Sequence, residues 1–432
     1  MLSAANQNLA TRDQALQGLR VLLDQQATTQ AIAGCGVPVD ATAQIEYLRY
    51  KPQQRCISMI RLHDGSHARR FVLTAFPALA YERHRAKTAP HVGWTGGWHD
   101  DLHRIRIDQF PFDPGLRHIA KCFEPASRNR LLRRTLGRNL HPDQFNMDWL
   151  AYKPGRRYVA STSKIAVEST TRVQPCYTLK FYTDSQFAET LQRLLSVNSI
   201  DFSSPEVVGD NEHYRTIALD WASGQVFADY VSQEILASAE LFEIGYQLAR
   251  LHNCRLPAQL VPAAAPHRLE ELAEYIGFIS PKLESLAWYA ATETQLQLAS
   301  LTRPLTMIHG DFYAKQVLVE QGGIKFIDFD QAGLGSPDQD VANFIAKLHW
   351  QAINQGSAQA YAEQCANIFL DGYRSGRHGF DERAYRVQLA ASLIRCSTHP
   401  FRRAMPDWEE TTHQLLQLAH SALHHSDLLM HS

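Results

Sequence analysis

The motif Tyr-Lys-Pro-x-x-Arg occurs twice, as Tyr50-Lys-Pro-Gln-Gln-Arg55 and Tyr152-Lys-Pro-Gly-Arg-Arg157, each time inside an apolar, aromatic-rich run. A second echo follows at similar spacing. Phe71-Val-Leu-Thr-Ala-Phe76 holds the place in the first copy that Tyr177-Thr-Leu-Lys-Phe-Tyr182 holds in the second. Each copy reads as strand, turn at Lys-Pro, strand, loop, strand, helix, because proline fixes φ near about −65° and suits a tight turn between strands. A chain carrying this pair is expected to fold around a duplicated antiparallel unit. Ahead of the first copy, Leu16, Leu19, Leu22 and Leu23 form one helical stripe, which predicts a single amphipathic helix reaching about Gln30. Between the copies, Ile105-Arg-Ile-Asp-Gln-Phe110 reads as a strand and residues 125–140 as a helix.

After the second copy, Thr216-Ile-Ala-Leu-Asp-Trp221 reads as one more strand. From about Gln233 helical spacing takes over, with Leu241, Ile244, Leu248 and Leu251 on one face. Residues 306–329 interrupt it with short apolar runs, and Gln321-Gly-Gly323 joins the last two as a hairpin. At 432 residues the chain has room for two or three domains of roughly 100–200 residues each. Its balance of 43 Lys+Arg against 44 Asp+Glu argues against nucleic acid or an anionic membrane as a bulk electrostatic partner. The seven cysteines lie far apart and read as reduced thiols. No basic start precedes an apolar run at the N-terminus, and nowhere do about 18 apolar residues follow one another. A cytoplasmic protein is expected.

The chemistry concentrates in Ile308-His-Gly-Asp-Phe-Tyr-Ala-Lys-Gln316 and Phe326-Ile-Asp-Phe-Asp-Gln-Ala-Gly-Leu-Gly-Ser-Pro-Asp-Gln-Asp340. A hairpin turning at Gly322-Gly323 brings Asp311 and Gln316, before one strand, to Asp328, after its partner. Two carboxylates and an amide oxygen gathered in this way suit phosphoryl transfer: one carboxylate accepts the attacking hydroxyl's proton, while hard oxygens hold magnesium against phosphates. Asp330 would face the same way if the strand continued. The run Gly93-Trp-Thr-Gly-Gly-Trp-His-Asp-Asp-Leu-His103 gathers two histidines and two aspartates, but its glycines mark a loop rather than a metal site.

With these motifs the sequence resembles the aminoglycoside phosphotransferase and choline kinase superfamily, small-molecule kinases related in fold to protein kinases. His309-Gly-Asp311, Gln316, Ile327-Asp328, Gly335-Ser-Pro337 and Asp340-Val-Ala342 follow its catalytic-loop and metal-loop pattern in order and spacing. The likeness is specific over residues 217–350 and extends from 147 to the end. It implies an α+β, protein-kinase-like fold with a working N-lobe at 141–222 and a helical C-lobe at 223–432, to which the repeat adds an accessory module at 1–140 that reads as a degenerate N-lobe. It implies Asp311 as base, Asp328 with Gln316 and Asp330 at Mg²⁺, and Lys180 on the phosphates of ATP or GTP. His309 and Asp340 would support the loop, and the backbone around Asp220 and Trp221 would face the base of the nucleotide.

Two departures stand out. The family's asparagine is Gln316 here, one methylene longer, and the acid expected to pair with Lys180 has Glu189 as its nearest candidate. No Gly-x-Gly-x-x-Gly covers the phosphates and no Ala-Pro-Glu follows, which argues against a protein kinase. The turn Lys153-Pro-Gly-Arg-Arg157 falls where such a cover belongs. Arg156 or Arg157 would touch phosphate there, although Arg55 at the equivalent place in the first copy gives a purely structural alternative. The implied activity is transfer of phosphate from nucleotide to a hydroxyl of a small molecule, a sugar, aminoglycoside or amino alcohol. The alternative is a nucleotide-binding pseudokinase serving as scaffold or sensor.

Overall fold

The computed structural model describes residues 2–37, 43–64, 67–87, 96–137, 141, 145–164, 175–257, 260–302 and 304–424. Two antiparallel five-stranded sheets of identical order account for its first half. Strands β1 (Ala43–Lys51), β2 (Arg55–Asp64), β3 (His67–Ala75), β4 (Gly96–Asp100) and β5 (Ile105–Gln109) pair in the order β1-β2-β3-β5-β4. Strands β6 (Phe145–Lys153), β7 (Arg157–Lys164), β8 (Pro175–Tyr182), β9 (Val207–Asn211) and β10 (Thr216–Asp220) repeat it as β6-β7-β8-β10-β9. A helix joins the third strand to the fourth in both, Ala78–Lys87 in one and Asp184–Asn198 in the other.

The repeated Tyr-Lys-Pro is explained by a buried acid upstream. Tyr50 donates its hydroxyl to Asp13 Oδ2 at 2.6 Å, and the backbone N–H of Gln53 donates to the same oxygen at 2.8 Å. In the second copy Tyr152 and the Gly155 N–H both reach Asp113 Oδ2 at 2.7 Å. The third turn residue has positive φ in both, 59° at Gln53 and 62° at Gly155. The Lys51 and Lys153 carbonyls accept from the residues three further on, so each turn is closed in the manner that follows a proline. The duplication therefore begins near Asp13 and Asp113, well ahead of the similar strands.

Asp13 also breaks the expected N-terminal helix. The stretch forms three helices, Ala4–Arg12, Leu19–Leu23 and Gln25–Ala33, the last capped by Asp24, whose carboxylate accepts from the Gln26 and Ala27 N–H groups. The predicted loop around His99 is strand β4 from Gly96 onward, and the predicted 125–140 helix is Pro125–Leu136, stopped at Gly137 with φ 111°. Residues 93–95 and 138–140 of those two readings lie outside the described residues.

Alternation along β2 and β3 sends the first sheet's two faces to different neighbours. Cys56, Ile60, Leu62, Phe71 and Leu73 pack with the N-terminal helices and with Ile279, Phe401 and Trp408 of the helical half. Ile57, Met59 and Val72 pack instead with Phe145, Tyr152, Tyr158 and Phe181 of the second sheet. The first module is thus wedged against both other parts of the molecule, an arrangement fastened by Trp408 Nε1 donating to Asn6 Oδ1 at 3.0 Å.

The second half is helical, built chiefly on Ser238–Asn253, Leu269–Ile279, Glu284–Ala299, Pro337–Gln355, Gln359–Gly376, Glu382–Cys396 and Trp408–His424 around one large core. Two small sheets interrupt it. Strands β11 (Gln225–Val226), β13 (Val317–Glu320) and β14 (Gly323–Phe326) form one, the last two joined by the expected hairpin. Strands β12 (Thr306–Ile308) and β15 (Gly333–Gly335) form the other. This is the two-lobed, protein-kinase-like arrangement. None of the seven cysteines is in a disulfide, and among the described residues no helix is long and apolar enough to cross a membrane.

Candidate active site

The loop after β12 is held from below by one buried carboxylate. Asp340, fully buried in the first turn of the Pro337–Gln355 helix, accepts from the His309 N–H at 2.6 Å and the Gly310 N–H at 2.9 Å. His252 Nε2 lies 3.2 Å from the same acid, and His252 Nδ1 lies 2.8 Å from the Tyr373 hydroxyl. His309 ties the loop to the far end of the hairpin, with Nε2 at 2.9 Å from the Ile327 carbonyl. Gly310 has φ 83°, and a Cβ there would meet the Gln331 carbonyl oxygen at 2.3 Å, so only glycine fits between the two loops. These contacts present Asp311 at the cleft, where Gln331 Nε2 lies 3.4 Å from Oδ2. Burial raises the Asp311 pKa, Lys347 opposes that rise, and Asp328 adds to it.

Beyond β14 the strand does not continue. Asp328 takes a left-handed conformation with φ 66°, and Phe329–Gln331 forms a 3-10 turn. That turn, not strand alternation, brings Asp330 alongside Asp328. Lys180 donates from Nζ to Asp328 Oδ1 and to Asp330 Oδ1, both at 2.6 Å. Arg157 Nη1 and Nη2 grip the two oxygens of Asp328 at 2.8 and 3.1 Å, and Arg157 also reaches Asp330. Tyr182 donates to Asp330 Oδ2 at 3.0 Å. Gln316 Nε2 lies 3.3 Å from Asp328 Oδ2. Although burial opposes ionisation of Asp328, Arg157 and Lys180 outweigh it and hold the carboxyl well below its usual range. The result is a four-membered, largely buried ion cluster in which each charge depends on its partners.

The cleft therefore assembles Asp311, Gln316, Asp328, Asp330, Lys180 and Arg157, with His309 and Asp340 behind them. Glu189 is not among them. It is mostly exposed and pairs with Arg193 four residues on, while Lys180 is taken by the two aspartates. Arg193 is itself buried, and its guanidinium donates to the carbonyls of Pro262 at 2.7 Å and Ala332 at 3.0 Å, linking the Asp184–Asn198 helix to the loop after Asp330. Asp220 and Trp221 lie at the end of β10, where the Trp221 N–H donates to the Cys176 carbonyl at 3.1 Å. Arg156 is half-buried in the turn beside Arg157.

Sequence reading missed His252, Arg193 and Lys347. No local pattern marks them: His252 and Tyr373 are 121 residues apart, and Arg193 reads as one more polar residue on an amphipathic helix. Around β4, His103 Nδ1 pairs with Asp100 Oδ2 at 2.7 Å and His99 packs edge-on to Tyr81. Among the described residues no group of three or more His, Cys, Asp or Glu side chains converges as a metal site made of such ligands alone.

The family model described as "Phosphotransferase enzyme family" matches residues 159–386. The chain is also similar to solved structures. A choline kinase from Cryptosporidium parvum is 12% identical, over 68% of this chain and 94% of that one, with a TM-score of 0.48. An amicoumacin kinase in complex with AMP-PNP, Ca²⁺ and Ami is 13% identical, over 69% and 94%, with a TM-score of 0.49. A spectinomycin phosphotransferase in complex with ADP and spectinomycin is 14% identical, over 69% and 98%, with a TM-score of 0.44. No curated protein matches the chain.

Proposed function

Because the chain belongs to the phosphotransferase enzyme family, we propose that it transfers the terminal phosphoryl group of ATP to a hydroxyl of a small molecule. Asp311 is the base. It takes the proton of the acceptor hydroxyl as that oxygen bonds to the terminal phosphorus; the bond from that phosphorus to the bridging oxygen breaks, and ADP leaves with its electron pair. Asp340 keeps Asp311 in position by fixing the two backbone N–H groups before it.

Lys180 and Arg157 hold the phosphates, exchanging their present carboxylate partners for phosphate oxygens when nucleotide enters. Magnesium suits the oxygens available, because the Asp328 and Asp330 carboxylates lie side by side, the Gln316 amide carries an oxygen next to the nitrogen that now faces Asp328, and the phosphates supply the rest. Asp328 and Gln316 would hold it. When bound, the ion supplies positive charge to the phosphate oxygens. GTP would meet the same phosphate-binding groups. In this reading the segment around Asp220 and Trp221 faces the base of the nucleotide, and residues 1–140, 141–222 and 223–432 act as accessory module, N-lobe and C-lobe.

The observation that carries the proposal is the meeting of a braced Asp311 with the Asp328–Lys180 pair in one cleft. The test is ADP release from Mg·ATP in the presence of pooled hydroxylated metabolites, for wild type and Asp311→Asn. Release by the wild type that the variant loses supports transfer. Nucleotide binding without release that depends on Asp311 would favour a pseudokinase.

A further inference from the structure

From Asp311 a group of positive side chains extends across to the first module. Lys347, on the Pro337–Gln355 helix, is the cation acting most strongly on Asp311, and its ammonium lies 5.1 Å from the centre of the Tyr313 ring. Trp350 follows, with the Arg403 guanidinium 6.0 Å over its ring and the imidazole of His399, which is not one of the cations, 5.8 Å away. Burial holds the His399 pKa well below its usual value, and Lys347, Arg402 and Arg403 push the same way. Arg402 and Arg156 act together on Tyr47 of β1: burial raises its hydroxyl pKa, but these guanidinium groups and Arg49 outweigh that and lower it. Arg49, half-buried on the same strand, is lowered by burial and then by Arg156, Arg55 and Arg402.

The acids facing this group are few: Asp311 at its head, Glu271 beside His267, and Asp229, which acts on Lys315 together with Arg403 and Lys347. Among the described residues none of Arg49, Arg156, Lys347, Arg402 and Arg403 forms an ion pair with a carboxylate. Arg395 in the adjoining helix is lowered to about 10 by burial, and its Nε has no hydrogen-bond partner. Gathering cations at partly desolvated positions is unfavourable unless an anion neutralises them. The phosphates of a nucleotide have their own partners in Lys180 and Arg157. A second anion is needed, on the acceptor's side of Asp311.

We propose that the acceptor alcohol is itself anionic, carrying a phosphate or carboxylate group held by Lys347, Arg402 and Arg403 on the C-lobe and by Arg156 and Arg49 from the two sheets. Guanidinium groups match both anions through paired N–H donors. A cationic amino alcohol would enter against this field. The first module then contributes to substrate recognition, since Arg49 shares a face of β1 with Tyr47, on which Arg402 and Arg156 also act.

The proposal rests on the phosphotransferase reading, and the test separates the two. Glucose 6-phosphate, gluconate, glucose and glucosamine are titrated calorimetrically into the full chain, with and without saturating Mg·AMP-PNP, whose own binding is measured first. The expected result is that glucose 6-phosphate or gluconate binds at least tenfold more tightly than glucose, with glucosamine weakest. R402Q and R403Q should each cut that preference several-fold; Arg403 is exposed and outside the cores, so its variant guards against a folding defect. Which anion binds tells phosphate from carboxylate. Equal binding of glucose or glucosamine, no binding of either anion, or a preference untouched in both variants would overturn the proposal. Failure of AMP-PNP to bind would instead contradict the kinase reading, whatever the sugars do.

Discussion

The two five-stranded sheets share an order, a turn and a buried acid, yet only one of them sends a lysine to Asp328 and Asp330. Lys180 lies in β8 between Val159 and Ile217, and Thr74 lies at the corresponding register in β3 between Ile57 and Arg106. Lys180 meets Asp328 and Asp330, while the neighbouring cation of the first sheet, Arg106, is spent on Asp108 within its own strand at 2.9 Å. Two kinds of information are thus layered on one scaffold. The Asp–Tyr–Lys-Pro device is kept in both copies; the lysine is present only in the copy that lies opposite Asp328 and Asp330.

The largest break between the sheets should come from their matched register positions. Lys180→Met should lower turnover by roughly 10²–10⁴-fold, the range typical of a lost catalytic group. It should also destabilise the fold by about 3–5 kcal/mol through the unbalanced aspartates, read by urea melts and ADP release. Thr74→Val should leave turnover within about twofold. A comparable loss at both positions would contradict the division of labour. Next in size, Asp13→Asn and Asp113→Asn should each cost about 1–3 kcal/mol, since each leaves a buried tyrosine and a turn N–H poorly matched. Near-equal costs are expected, and a large inequality would show that the two turns are not equivalent supports.

Smaller effects separate the sheets by pH. Asp328 is held below the ordinary aspartate value of about 3.9, so its contribution to stability is complete above that value. It is lost as pH falls through the lower value of the folded state. Asp328→Asn should flatten the acid side of the stability profile, whereas Thr74→Val leaves it unchanged. In turnover, burial of Asp311 should set the acidic limb above the ordinary carboxylate range, because the base must be ionised to act. Lys347→Met removes an opposing cation and should move that limb higher still. A shift downward would remove Asp311 as the titrating group.

The parts of the molecule legible in sequence are those written in short, local code. The hairpin at Gly322-Gly323 and the run from His309 to Asp340 place the site's loops, because turn chemistry and strand pairing decide them within a few residues. The repeat is legible only where its strands resemble each other. Its upstream half hangs on single acids, Asp13 and Asp113, whose partners lie 37 and 39 residues further on. Glu189 illustrates the opposite case: helical spacing offers it to Lys180, but two aspartates from the metal loop reach the lysine instead. The positive group from Lys347 to Arg49 is beyond any linear reading, since it is collected from β1, a turn and two C-lobe helices.

Whether Asp328 anchors a nucleotide site is read most directly from the melting temperature of the full chain with and without millimolar Mg·ATP, for wild type and for Asp328→Asn. A ligand that binds only the native state stabilises it by about 2.7 kcal/mol at a hundred times its dissociation constant. A magnesium-dependent rise of several degrees is expected in the wild type, together with its loss in the variant. No rise in the wild type, or an equal rise in both proteins, would contradict a nucleotide site built on Asp328.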